Sequence, residues 1–224
     1  MGRDITIQAS DGHRFAAYRA DPAGKPKGGI VVVQEIFGVN KHIRELSDGF
    51  AADSYAAIAP SLYDRSSRKG IQLGYTPDDI AIGRKLREEF TWEQAMLDMA
   101  ATVAALAGDG LKVATVGYCW GGSVSYLAGC RLPVQGAVVY YGGQIMPFVR
   151  ESERCPLLMH FGDRDASIPL SDVEAIGKAH PKAVVHVYAA DHGFSCDHRK
   201  QYDAAAAKLA RERTMAFFAK QLGA

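Results

Sequence analysis

The chain has 224 residues, is 48% hydrophobic and is nearly balanced in charge, with 26 Lys and Arg against 25 Asp and Glu. That is enough apolar material for one large core, and the scattered cations exclude the basic stripe that nucleic acid or an anionic membrane surface requires. No stretch approaches the roughly 20 apolar residues of a membrane helix, and the first ten residues hold Arg3 and Asp4 where a signal peptide would be apolar.

Taken in order, the chain opens on residues 5–7 and 14–18, two short strands joined by Asp11-Gly12, which read as a hairpin adding an antiparallel edge. Apolar, β-branched runs follow at 30–33, 56–59, 113–116, 137–140, 157–161 and 184–188. Amphipathic stretches at 41–53, 78–90, 92–107, 122–128, 170–179 and 203–222 separate or follow them. Alternation of this kind predicts an α/β fold, a mostly parallel central sheet with helices on both faces, in a single domain over residues 1–224. Residues 66–74 read as a surface loop. Four cysteines without a C-x-x-C pair do not make a disulfide scaffold, so a reducing, cytoplasmic setting is expected.

The stretch Val113-Ala114-Thr115-Val116-Gly117-Tyr118-Cys119-Trp120-Gly121-Gly122-Ser123 runs from strand through Gly-x-Cys-x-Gly into helix. This is the nucleophile-elbow pattern of α/β-hydrolases with Cys in place of Ser. The nucleophile sits on a tight turn where strand and helix cross, so its flanking positions must be small, as Gly117 and Gly121 are. Cys119 is then raised above the sheet at a helix N-terminus, where backbone N–H groups and the helix dipole favour thiolate. A free cysteine without such a context is more often a small buried hydrophobe, which is the reading for Cys130, Cys155 and Cys196.

An elbow needs a base and an orienting acid, in the chain order nucleophile, acid, histidine. The run 157–161 leads into Gly162-Asp163-Arg164-Asp165, and the run 184–188 leads into Ala189-Ala190-Asp191-His192-Gly193-Phe194. Among seven histidines, His192 is the expected general base. Spacing leaves Asp163 and Asp165 both open as the acid, with Asp191 a weaker third. The N–H of Trp120, directly after the nucleophile, is an expected oxyanion donor, and a second is sought in the loop Gln34-Glu35-Ile36-Phe37-Gly38-Val39-Asn40 after run 30–33. Glu35, at the end of a buried strand, reads either as half of a structural ion pair or as a group tuning the thiol. Cys196, Asp197 and His198 lie close in sequence to His192, but no second ligand pair matches them, so no metal is expected.

The chain resembles the dienelactone hydrolase family, the carboxymethylenebutenolidases, over nearly its whole length. The resemblance rests on residues 34–40, Ala59-Pro60-Ser61-Leu62-Tyr63, Gly117-Tyr118-Cys119-Trp120-Gly121-Gly122, Tyr140-Tyr141-Gly142, Gly162-Asp163-Arg164-Asp165 and His192-Gly193-Phe194. It implies an α/β-hydrolase fold and a triad of Cys119, Asp165 and His192, with the amides of Ile36 and Trp120 as oxyanion donors. It also implies that Glu35 contacts the resting thiol and helps generate thiolate when substrate binds. The implied reaction opens the lactone ring of dienelactone to maleylacetate, in catechol and chlorocatechol breakdown, without metal or organic cofactor. The chain departs from the family where an arginine that holds the substrate carboxylate is replaced by Cys196, four residues after His192. Arg199 and, in a helical region, Arg84 and Arg87 are then the candidate carboxylate binders, with Phe37, Tyr118 and Phe194 as candidate pocket aromatics. The expected partner is a small-molecule ester or lactone, and the expected state a monomer. A general carboxylesterase or thioesterase, and a catalytically silent small-molecule-binding protein on the same scaffold, are the rival readings.

Overall fold

A computed structural model describes residues 2–223, which fall into two compact units divided after Ala114. In the first, β1 (Arg3–Gln8) and β2 (Arg14–Ala20) form the antiparallel hairpin expected from Asp11-Gly12, with Arg3 opposite Arg19 and Gln8 opposite Arg14. β3 (Gly29–Val33) and β4 (Ala56–Pro60) pair in parallel, β2 pairs with β4 in antiparallel fashion, and the order is β1-β2-β4-β3. All five residues of β3 and of β4 are buried. Successive side chains of a strand point to opposite faces, so both faces of this pair are covered.

The helices of this unit start where local chemistry satisfies their first N–H groups. Asn40 caps α1 (Lys41–Ala52) by accepting the N–H of Ile43 at 3.3 Å. α2 (Pro77–Arg87) and α3 (Trp92–Gly108) each open on a capping box, Thr76 with Asp79 and Thr91 with Gln94. α1 and α3 both pack against β3 and β4. α2 ends three residues earlier than its sequence pattern extends. Residues 66–74 contain no helix or strand, as expected of a loop, yet Leu73 is buried and its N–H donates to the carbonyl of Phe37 at 2.9 Å.

The second unit carries β5 (Val113–Tyr118, whose first two residues belong to the first unit), β6 (Ala137–Tyr140), β7 (Leu157–Gly162) and β8 (Val184–Tyr188). They pair in parallel in that order. β5, β6 and β7 are buried throughout, whereas the edge strand β8 leaves Val184 and Val187 each 48% exposed. Three helices accompany them, α4 (Trp120–Arg131), α5 (Leu170–Ala179) and α6 (Ala204–Leu222). α6 buries Ala206, Ala210, Thr214, Phe218 and Leu222, a four-residue spacing that lays one stripe against the sheet. α4 begins two residues before the helix predicted from sequence, directly after Cys119. The adjacent glycines Gly121 and Gly122 weaken helix propensity, but the turn of the chain over the strand ends commits them to the helix. Among the described residues, no helix is long and apolar enough to cross a membrane.

Candidate active site

β5 and α4 meet at Cys119, whose backbone lies at φ 56° and ψ −123°. That conformation is rare for a residue with a side chain and places the thiol at the N-cap of α4. The crossing is tight: a Cβ on Gly117 would come within 1.8 Å of the carbonyl oxygen of Gly121, so no other residue fits there. The N–H of Cys119 donates to the carbonyl of Tyr140 at 3.0 Å, pinning the bend to the end of β6. Trp120 follows as the first residue of α4, its N–H one of the four that helix geometry leaves without an i−4 acceptor.

His192 stands four residues after β8, on the loop leading to α6. Its Nδ1 is 2.7 Å from Oδ2 of Asp165, whose other carboxylate oxygen accepts the N–H of Ser167 at 2.8 Å. The Asp165 side chain is completely buried and that of His192 is 20% exposed. The imidazole also interacts with the side chain of Cys119. Burial depresses the His192 pKa, but the negative charge of Cys119, hydrogen bonding to Asp165 and Cys119, and the Asp165 charge together outweigh it and raise the value to about 10. Spacing left the acid open; the fold brings Asp165 to the imidazole and leaves Asp163 and Asp191 exposed.

Gly193 adopts the left-handed region at φ 82°, turning the chain away from His192, and a Cβ there would strike Nη1 of Arg199 at 2.6 Å. The Arg199 guanidinium therefore lies against the residue next to the imidazole. Cys196, by contrast, is fully buried. Tyr118 and Phe194 are buried in an aromatic cluster: the Tyr118 ring is 4.8 Å from that of Tyr140, and the Phe194 ring is 5.1 Å from that of Tyr188 and 5.4 Å from that of Tyr141.

The remaining sequence candidates belong to the first unit. Glu35 and Ile36 follow β3 after the single residue Gln34, Glu35 fully buried, with the carbonyl of Ile36 accepting the Tyr63 hydroxyl at 3.1 Å. Phe37 is 1% exposed and meets the Tyr75 ring edge-on at 4.7 Å. Arg84 is exposed on α2. The sequence reading gave no role to Tyr141, whose ring lies 5.0 Å from that of His192, or to Ser195, whose hydroxyl is 2.7 Å from the Tyr141 hydroxyl. The only signal for the first was its place in Tyr140-Tyr141-Gly142.

A family model described as the dienelactone hydrolase family matches residues 15–222. A carboxymethylenebutenolidase of Pseudomonas putida is 35% identical over 227 residues, covering 96% of this chain and 95% of that protein. Among solved structures, a Klebsiella pneumoniae protein assigned as a dienelactone hydrolase superposes with a TM-score of 0.83 at 30% identity, covering 97% of this chain and 99% of that one. A dienelactone hydrolase-like promiscuous phosphotriesterase from metagenomic libraries shares the fold, with a TM-score of 0.74 at 21% identity, over 98% of each chain.

Proposed function

Because this chain belongs to the dienelactone hydrolase family and is a hydrolase acting on esters, we propose that its nucleophile is the thiolate of Cys119 and its substrate a lactone, dienelactone opened to maleylacetate. The observation that carries the reading is the His192 imidazole, hydrogen-bonded to Asp165 at 2.7 Å and interacting with the side chain of the elbow residue Cys119.

In this mechanism the Cys119 sulfur attacks the lactone carbonyl carbon, and charge collects on the carbonyl oxygen, held by the N–H groups of Trp120 and Ile36. Collapse breaks the ring C–O bond, His192 delivers a proton to the departing oxygen, and the acyl group remains on sulfur as a thioester. Neutral His192 then takes a proton from water; the resulting hydroxide adds to the thioester carbonyl, and the sulfur leaves as thiolate. Asp165 fixes the imidazole tautomer and orientation throughout. Glu35 is assigned to arming the thiol, and no metal or organic cofactor takes part. The two compact units act as one α/β-hydrolase domain, a reading supported by a family match that runs unbroken across the boundary between them. The four free cysteines favour a reducing compartment, the cytoplasm.

A broader ester or thioester substrate is the second reading, favoured by Cys196, which is buried where family members acting on dienelactone carry an arginine. Arg199, beside Gly193, is then the cation nearest in sequence to His192. Hydrolysis of cis- and trans-dienelactone beside p-nitrophenyl acetate, by wild type and Cys119→Ala, separates the readings. Lactone turnover abolished in the variant supports the proposal. Ester turnover without lactone turnover removes dienelactone, and unchanged activity in the variant removes the nucleophile.

A further inference from the structure

The segment leaving β6 holds a second residue in an unfavourable backbone conformation. Tyr141 is fully buried and has φ 39°; among the described residues, only Ser54 and Cys119 are the other non-glycines with positive φ. A bulky side chain adopts this region only where its surroundings over-determine it. Those surroundings connect two parts of the proposed triad. Tyr140, immediately before, accepts the N–H of Cys119. The N–H of Tyr141 donates to the carbonyl of His160 on β7 at 2.8 Å, fixing the backbone at that point. The Tyr141 ring then lies against the His192 ring at 5.0 Å, and its hydroxyl meets that of Ser195, three residues beyond the histidine, at 2.7 Å.

His192 itself stands on a long connection, residues 189–203, that contains no helix or strand. Loops of this kind move more than the elements they join, and a displacement of about 1 Å at a reacting group is enough to cost about a hundredfold in rate. The base therefore needs a brace from the rigid sheet, and Tyr141 supplies one whose other end is tied to the nucleophile's anchor. We infer that Tyr141 is a positioning residue, and that its hydroxyl bond to Ser195 latches the loop so that His192 stays between Asp165 and Cys119. The inference rests on the triad reading above.

The test uses the full chain as wild type, Tyr141→Phe, Ser195→Ala, the double variant and Cys119→Ala. Tyr141→Phe keeps the ring and the packing, so the hydroxyl bond alone is removed. With p-nitrophenyl acetate, each single variant is expected to lower kcat about tenfold with KM within twofold, and the double variant to be no worse than either single. In NMR titrations, both single variants are expected to bring the His192 pKa down from its raised value, because the imidazole is held less closely to its two anionic partners. Effects that add in the double variant, or a kcat and a His192 titration that stay at wild-type values, overturn the latch. Cys119→Ala with wild-type hydrolysis sinks the nucleophile instead, and the His192 titration still reports on the latch without reference to turnover.

Discussion

Helix α4 carries a thiol at each end, and the two could hardly be more differently placed. Cys119 caps its N-terminus, is partly exposed, and faces an imidazole braced by a buried carboxylate. Cys130, in the last turn, is buried; burial above all pushes its thiol up to about 11, against an opposing hydrogen bond with Tyr126 and with smaller upward contributions from the Glu151 and Glu153 charges. Cys155, beside the same helix end, is pushed up to about 12, again chiefly by burial. A helix N-terminus stabilises negative charge and a C-terminus repels it. One element thus offers sulfur two environments of opposite sign, and the local partners reinforce each. What the contrast teaches is that the proposal of a reactive thiol at Cys119 rests on its surroundings, with the residue type as only the starting material.

Removing the sulfur at each end tests this most directly. Cys119→Ala should lower ester hydrolysis on the order of 10⁴-fold or more, as loss of a triad nucleophile does elsewhere; wild-type rates would erase the distinction between the two ends. Asp165→Asn leaves the packing intact but removes the carboxylate from Nδ1, and should cost about 10⁴-fold in kcat while iodoacetamide still reaches Cys119. Alkylation followed by peptide mapping at pH 7 should modify Cys119 about a hundredfold faster than Cys130 or Cys155, given thiols at about 11 and 12 that hold almost no thiolate there. Equal, slow labelling of all three would favour a silent scaffold.

A smaller effect concerns pH. The His192 pKa lies above its unfolded value, so its pairing contributes stability that is fully present below about pH 6.5 and is lost as pH rises through about 10. Denaturant midpoints of wild type should therefore fall between pH 7 and 10 more than those of His192→Gln, and parallel curves would contradict the ion-pair account. Cys130→Ala should be the mildest change, costing about 1 kcal/mol of stability by chemical denaturation and leaving hydrolysis within twofold.

The parallel core was legible because β3, β4, β5, β6 and β7 are buried on both faces and therefore read as unbroken apolar runs. The elbow was legible for a related reason: only glycine fits at Gly117, so geometry left a mark in the sequence. The start of α4 was not, because Gly121 and Gly122 carry no helical signal of their own. Spacing left Asp163 and Asp165 open, and the difference between them is burial, which a short polar loop does not encode. Tyr141 and Ser195 are 54 residues apart and joined only by the fold. Tyr118 and Phe194 flank the site in sequence, yet both are buried in aromatic packing, since neighbours along the chain need not face the same space.

The close crossing at Gly117 separates two kinds of change that the proposed catalyst can undergo. Its shape is set by the missing methyl group at 117, 1.8 Å from an oxygen that has nowhere to go, whereas the proposed nucleophile hangs from 119 and enters no part of that steric constraint. Retooling from thiol to alcohol chemistry, as in Cys119→Ser, is thereby a one-atom exchange on an unaltered chassis. On the proposed reading, the freedom to exchange the nucleophile is a by-product of how little freedom the crossing beneath it retains.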